Sequence, residues 1–169
     1  MLNGNDALLL IRLAAKNDPW TFRSLGQELA MDPAALHRSV ARLRESKLLD
    51  EDRLVNRSNL EEFLIHALRF LVPAQLGPEA RGVPTAWGAK PLRDHVAAGS
   101  GPSPVWPDPN GRSRGPSVDP ISEHASRIAR DDPKLGEWLS LVDALRVGRA
   151  RERNLAADEL GRRIWSGAA

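Results

Sequence analysis

The chain of 169 residues sets 24 Lys and Arg against 22 Asp and Glu, a net charge of +2, so bulk charge alone does not mark it as a binder of polyanions. Its pI of about 9.5 follows from an excess of Arg over Lys, which together with abundant Ala is the signature of GC-rich bacterial coding. The absence of Cys excludes disulfides, thiolate metal sites and a thiol nucleophile.

Hydrophobic residues make up 41% of the chain, enough for a core, but 13 Gly and 13 Pro predict a long irregular stretch outside it. With no long apolar run and no basic-apolar leader, the expected location is the cytoplasm, in association with the nucleoid, and not a membrane.

From the N-terminus, Leu8, Leu9, Ile11, Leu13 and Ala15 predict a first helix over residues 5–16, closed by Asp18-Pro19. Trp20-Thr21-Phe22 has the composition of a short strand. Leu25 and Leu29 share one face of a short helix ending near Ala30. Asp32-Pro33 then signals a new start, since Asp accepts the free N–H groups of a first turn and Pro fits the first helical position. Leu36, Val40 and Leu43 give the helix over residues 33–46 a single apolar stripe. Its opposite face carries Ala34, Arg38, Ala41 and Glu45, with His37 and Arg42 at the margins. Two short apolar runs, Leu48-Leu49 and Leu54-Val55, enclose Asp50-Glu51-Asp52-Arg53 and predict a small β-hairpin whose turn type no Asn-Gly or Asp-Gly specifies.

Ser58-Asn59-Leu60-Glu61 has the spacing of a capping box opening a strongly apolar helix through Leu60, Phe63, Leu64, Ala67, Leu68, Leu71 and Val72. That helix either completes the monomer core or, with the first helix, forms a dimer interface, for which Phe63 and Phe70, seven apart, supply a seam. From Pro73 to Pro120 periodicity is lost and Pro and Gly are dense, which predicts a loop or linker over residues 73–119. Within it Val83 and Trp87 are expected to fold over the core, around a candidate pocket of Arg81, Thr85 and Trp87. Trp106, set between prolines, is a candidate docking residue in an extended segment. Residues 120–169 return to helix: Ile121, Ala125, Ile128 and Ala129, then Asp132-Pro133 opening a second through Leu135, Trp138, Leu139, Val142 and Leu145, then a third through Leu155, Leu160 and Ile164. Their many Arg residues alternate with Asp and Glu, as on a solvated, salt-bridged face.

Catalytic signatures are missing. His37, His66, His95 and His124 are evenly spaced, but their surroundings do not repeat and none has a metal-type companion. No nucleophile elbow, phosphate-cradling Gly loop or paired carboxylates occur. No enzymatic activity and no cofactor are expected.

The pattern from residue 5 to residue 72 resembles the winged helix-turn-helix of bacterial transcription regulators, closest to the MarR and related groups. The resemblance implies a mainly α fold: a DNA-binding domain over residues 1–72 with a small β-hairpin as the wing, followed by a C-terminal helical region. It further implies that residues 33–46 are the recognition helix. Ala34, Ala35, His37, Arg38, Ala41 and Arg42 would turn toward the major groove, where small side chains let the backbone approach and Arg reaches guanine O6 and N7. Arg53 would sit on the wing, while Arg23, Arg44, Lys47 and Arg57 would hold phosphates. The expected partner is double-stranded DNA bound by a homodimeric repressor. The alternative is a protein-interaction adaptor, such as the antitoxin-like member of a two-gene module, that grips a protein through residues 73–169.

Overall fold

The structure is a computed structural model that describes residues 1–96 and 101–166. It is mostly helical with one small antiparallel sheet. Helix α1 (Gly4–Ala15) is the centre of the N-terminal half. Its start is closed reciprocally, the Asn3 side chain accepting from Asp6 N and the Asp6 carboxylate from Asn3 N. Ala7 to Ile11 are consecutive apolar residues and none is exposed. A helix that is apolar all round must be covered all round, and α3 (Pro33–Glu45), α7 (Pro133–Val147) and α8 (Ala150–Ser166) pack on it. This removes α1 from the expected dimer interface.

Trp20-Thr21-Phe22 is not a strand. Thr21 caps α2 (Phe22–Leu29) in a reciprocal pair with Ser24, a local closure that competes successfully with extended pairing. The turn into α3 is tight: Gly26 O accepts from both Ala30 N and Met31 N, and a side chain at Gly26 would meet Met31 O at 2.7 Å. Ala30 takes the left-handed conformation at this cap, φ 54°, where Gly is usual. Asp32 caps α3 through Ala35 N at 2.8 Å.

The hairpin expected over residues 48–55 is reduced to one bridge, Leu49 to Val55. Asp50 accounts for this, because its Oδ1 accepts from both Asp52 N and Leu54 N and winds the connection into a tight turn that ends on Arg53 at φ 65°. The following helix starts earlier than its Ser58 signal. Asn56 is the cap, accepting from Asn59 N, and α4 spans Arg57–Glu62. A π-helical turn, Phe63–Ala67, then joins it to α5 (Leu68–Leu71). The wider turn shifts the helical phase, so Phe63 is buried while Phe70 is 71% exposed, and the two do not form one seam.

Within residues 73–119, expected as a loop or linker, the chain forms a small sheet between irregular connections. Strands β1 (Glu79–Pro84), β2 (Val105–Pro107) and β3 (Ser113–Pro116) form a sheet in the order β2-β1-β3, with Val83 opposite Trp106 and Arg81 opposite Arg114. Trp106 is 2% exposed and therefore not a docking residue. Thr85 and Trp87 are also buried, which closes the pocket expected around them. Residues 97–100 and the last three of the C-terminal region lie outside the described residues.

A buried polar cluster holds this segment. Asp143 on α7 accepts from Thr85 Oγ1 at 2.8 Å, Trp106 Nε1 at 2.6 Å and Arg146 Nη1 at 2.8 Å. Arg146 also donates to Val72 O and Asp119 O. Those two carbonyls flank residues 73–118, so one guanidinium grips both ends of the sheet segment. Helices α6 (Ala125–Asp131), α7 and α8 follow in the expected order, with Asp132 capping α7 through Leu135 N. A single apolar cluster runs from α1 through α7 to Ile164 on α8. Among the described residues no helix is long and apolar enough to cross a membrane.

Candidate nucleic-acid interface

Two ion pairs fix α2 and α3 against α1. Arg42 on α3 donates from Nε and Nη2 to Asp6 at 2.9 and 2.8 Å, a bidentate contact with a fully buried carboxylate. Arg12 on α1, itself nearly buried, donates from Nε to Glu28 on α2 at 2.7 Å and lies 3.0 Å from Asp18. Arg42 is therefore an internal fastener. Its assignment as a base-reading residue fails, because leaving Asp6 unpaired in the interior would cost several kcal/mol.

With its apolar stripe of Leu36, Val40 and Leu43 buried, α3 leaves Ala34, His37, Arg38, Ala41 and Arg44 exposed and Ala35 half-buried. Arg23, Arg38, Arg44 and Lys47 have neither an ion pair nor a side-chain hydrogen bond among the described residues. Exposed cations without acidic partners keep their full charge for an external anion, with little desolvation cost to overcome on contact. Arg57 is half-buried at the start of α4 and is engaged within the protein.

Arg53 does not project as a free wing tip. Its guanidinium carbon lies 5.6 Å from the Trp20 ring centroid and 5.2 Å from that of Phe22, within cation–π range. Phe22 meets Trp20 edge-on at 5.4 Å and stacks on His37 with centroids 3.7 Å apart. A chain of contacts thus joins the 50–54 turn, the start of α2 and the outer face of α3. Trp20 and Phe22 were not candidates from sequence. The signal that could have found them is Thr21 followed three residues later by Ser24, a capping pair that assigns Phe22 to the first helical turn.

Asp50 turns its carboxylate into its own loop, while Glu51 and Asp52 are exposed. Negative charge remains beside α3 on that side. Among the described residues no group of three or more His, Asp or Glu side chains is placed to hold a metal ion. No family model, no curated protein and no solved structure matches the chain.

Proposed function

We propose that residues 1–72 act as a winged helix-turn-helix and that the protein is a sequence-specific double-stranded DNA-binding regulator, a homodimeric repressor with residues 33–46 as its recognition helix. The observation that carries this reading is the outer face of α3. Ala34 and Ala41 are small and exposed, Arg38 and Arg44 are exposed and without partners among the described residues, and the helix is braced from behind by the Asp6–Arg42 pair. Short side chains admit the helix to the groove and Arg38 reads a base edge. Arg23 and Lys47, on either flank of that face, hold phosphates.

His37, fixed by its stack on Phe22, is oriented before contact, and Arg53 reaches the backbone from the aromatic pair rather than from an extended wing. Since α1 is buried, a second copy would meet exposed apolar side chains such as Phe70, 71% exposed, or Leu76, 44% exposed.

The same exposed side chains favour the second reading, the adaptor or antitoxin-like component, in which Phe70 or Leu76 meets a different protein. Fluorescence anisotropy with the DNA upstream of its own gene and with a scrambled duplex, across a salt series, separates the two. The regulator prefers the upstream DNA and its affinity falls as salt rises. Weak and equal binding to both duplexes would sink it and leave the adaptor.

A further inference from the structure

We infer that the cleft between the 108–113 loop and α6 binds a small phosphate ester, at a site sharing no residue with the α3 surface. The walls are built from backbone. Asp108 N donates to Arg81 O and Gly111 N to Asp108 O, both at 3.0 Å, and Asn110 N donates to Asp108 Oδ1 at 2.9 Å. Gly111 lies so close to β1 that a side chain there would come within 2.3 Å of the Gly82 carbonyl. The loop is thereby pressed onto the strand, and Ser126, Ala129 and Arg130 of α6 close the other side of a cleft of about 380 Å3. That volume falls within the range of small-molecule sites.

The charges in the cleft are not internally balanced. Arg112 on the loop and Arg130 on α6 are exposed and make no ion pair or side-chain hydrogen bond among the described residues. Their neighbours behave differently: Arg127 pairs with Asp131 and reaches Glu28 O, and Arg114 pairs with Glu79. The one carboxylate lining the cleft, Asp108, has an oxygen already committed to the loop. Ser113 and Ser126 also line it, and their hydroxyls have no partner among the described residues. Two arginines and two serines lining one concavity supply the donors that the tetrahedral, multiply accepting phosphate group calls for. Val83, Pro84 and Ala129 supply an apolar wall for the rest of the molecule.

The test is calorimetric titration of the full chain with inorganic phosphate and with AMP at low ionic strength. Saturable binding with one site per chain is expected, weakened about ten-fold or more in Arg112→Gln/Arg130→Gln and unchanged in Arg149→Gln, which removes an exposed charge outside the cleft. Circular dichroism checks that the double variant folds. Should it not, Ser126→Ala takes its place, with an expected loss of about three-fold. Absence of saturable binding to both probes would overturn the inference, as would an equal loss in Arg149→Gln. Weakened binding of a duplex without any response to the small phosphates would overturn it in favour of a backbone contact.

Discussion

Residues 1–72 and residues 73–119 are held in place by different physics. In the first, apolar periodicity builds each helix, and side-chain caps at Asn3, Thr21, Asp32 and Asn56 set where each begins. In the second there is no periodicity to follow. Three short strands are fastened by hydrogen bonds from Thr85 and Trp106 to a buried carboxylate on α7, and by one Arg bonded to the carbonyls at both ends of the segment. Segments of the first kind gain stability largely from area removed from water. Those of the second kind bury Leu92, Val105, Trp106 and Val118 as well, and add a few polar contacts whose loss is severe, because an unpaired buried charge has no solvent to turn to.

The contrast is broken most directly at Arg146, whose side chain is 1% exposed. Arg146→Met should destabilise the protein by about 3–5 kcal/mol in denaturant unfolding and release the sheet segment to proteolysis before the helices. A loss below about 1 kcal/mol would show that apolar packing alone holds the sheet. The N-terminal half has a smaller version of the same device, since Arg42 is partly exposed while Asp6 is not. Arg42→Ala should cost about 2–3 kcal/mol and weaken DNA binding only in proportion to unfolding. Weakened DNA binding at unchanged stability would return Arg42 to the groove.

Arg38→Ala sharpens the comparison from the opposite side. Unfolding should move by no more than about 0.5 kcal/mol, while affinity for the specific DNA falls by about 1–3 kcal/mol. Equal loss on specific and scrambled duplexes would remove Arg38 from base reading. The smallest effect is expected where α1 and α7 meet. Lys16 lies 2.9 Å from Asp132. Burial pushes the Asp132 carboxyl up, but the Lys16 ammonium and the Leu135 N–H together outweigh it and hold the group below its ordinary range.

A carboxyl lowered on folding stabilises fully above its ordinary pKa and loses that contribution as the pH falls through it. Lys16, raised chiefly by its contact with Asp132, stabilises below the ordinary Lys range and loses its contribution as alkali increases. Asp132→Ala should therefore cost about 1 kcal/mol near neutrality and flatten the acid side of a thermal-melt profile. An unchanged acid limb would show that the pair contributes nothing.

Much of the helical framework was legible because its signals are local. Asp32-Pro33 and Asp132-Pro133 each combine a capping acceptor with a residue suited to the first turn, and both open helices as read. The apolar residues of α1 marked a helix with a broad apolar surface, but its burial on every side came from the helices packed around it. Ser58, by contrast, was outcompeted by Asn56 two residues earlier, a choice between caps that depends on where the preceding turn ends. The 50–54 turn was missed because one carboxylate, Asp50, organises it in place of a named turn dipeptide. Of the candidate interface residues, the exposed face of α3 followed from its period. Arg42 did not, since its partner Asp6 lies far away in sequence.

By itself the sequence determined which stretches are helical, which face of α3 is apolar and which cations lie opposite that face, because caps and a 3.6-residue period act within a few residues. Tertiary structure decided the rest: that α1 and α7 share one core, that the Pro- and Gly-rich stretch becomes a sheet, and which Arg residues are fasteners. Those outcomes depend on pairs such as Asp6 with Arg42 and Trp106 with Asp143, brought together only when the chain has folded and the water around them has gone.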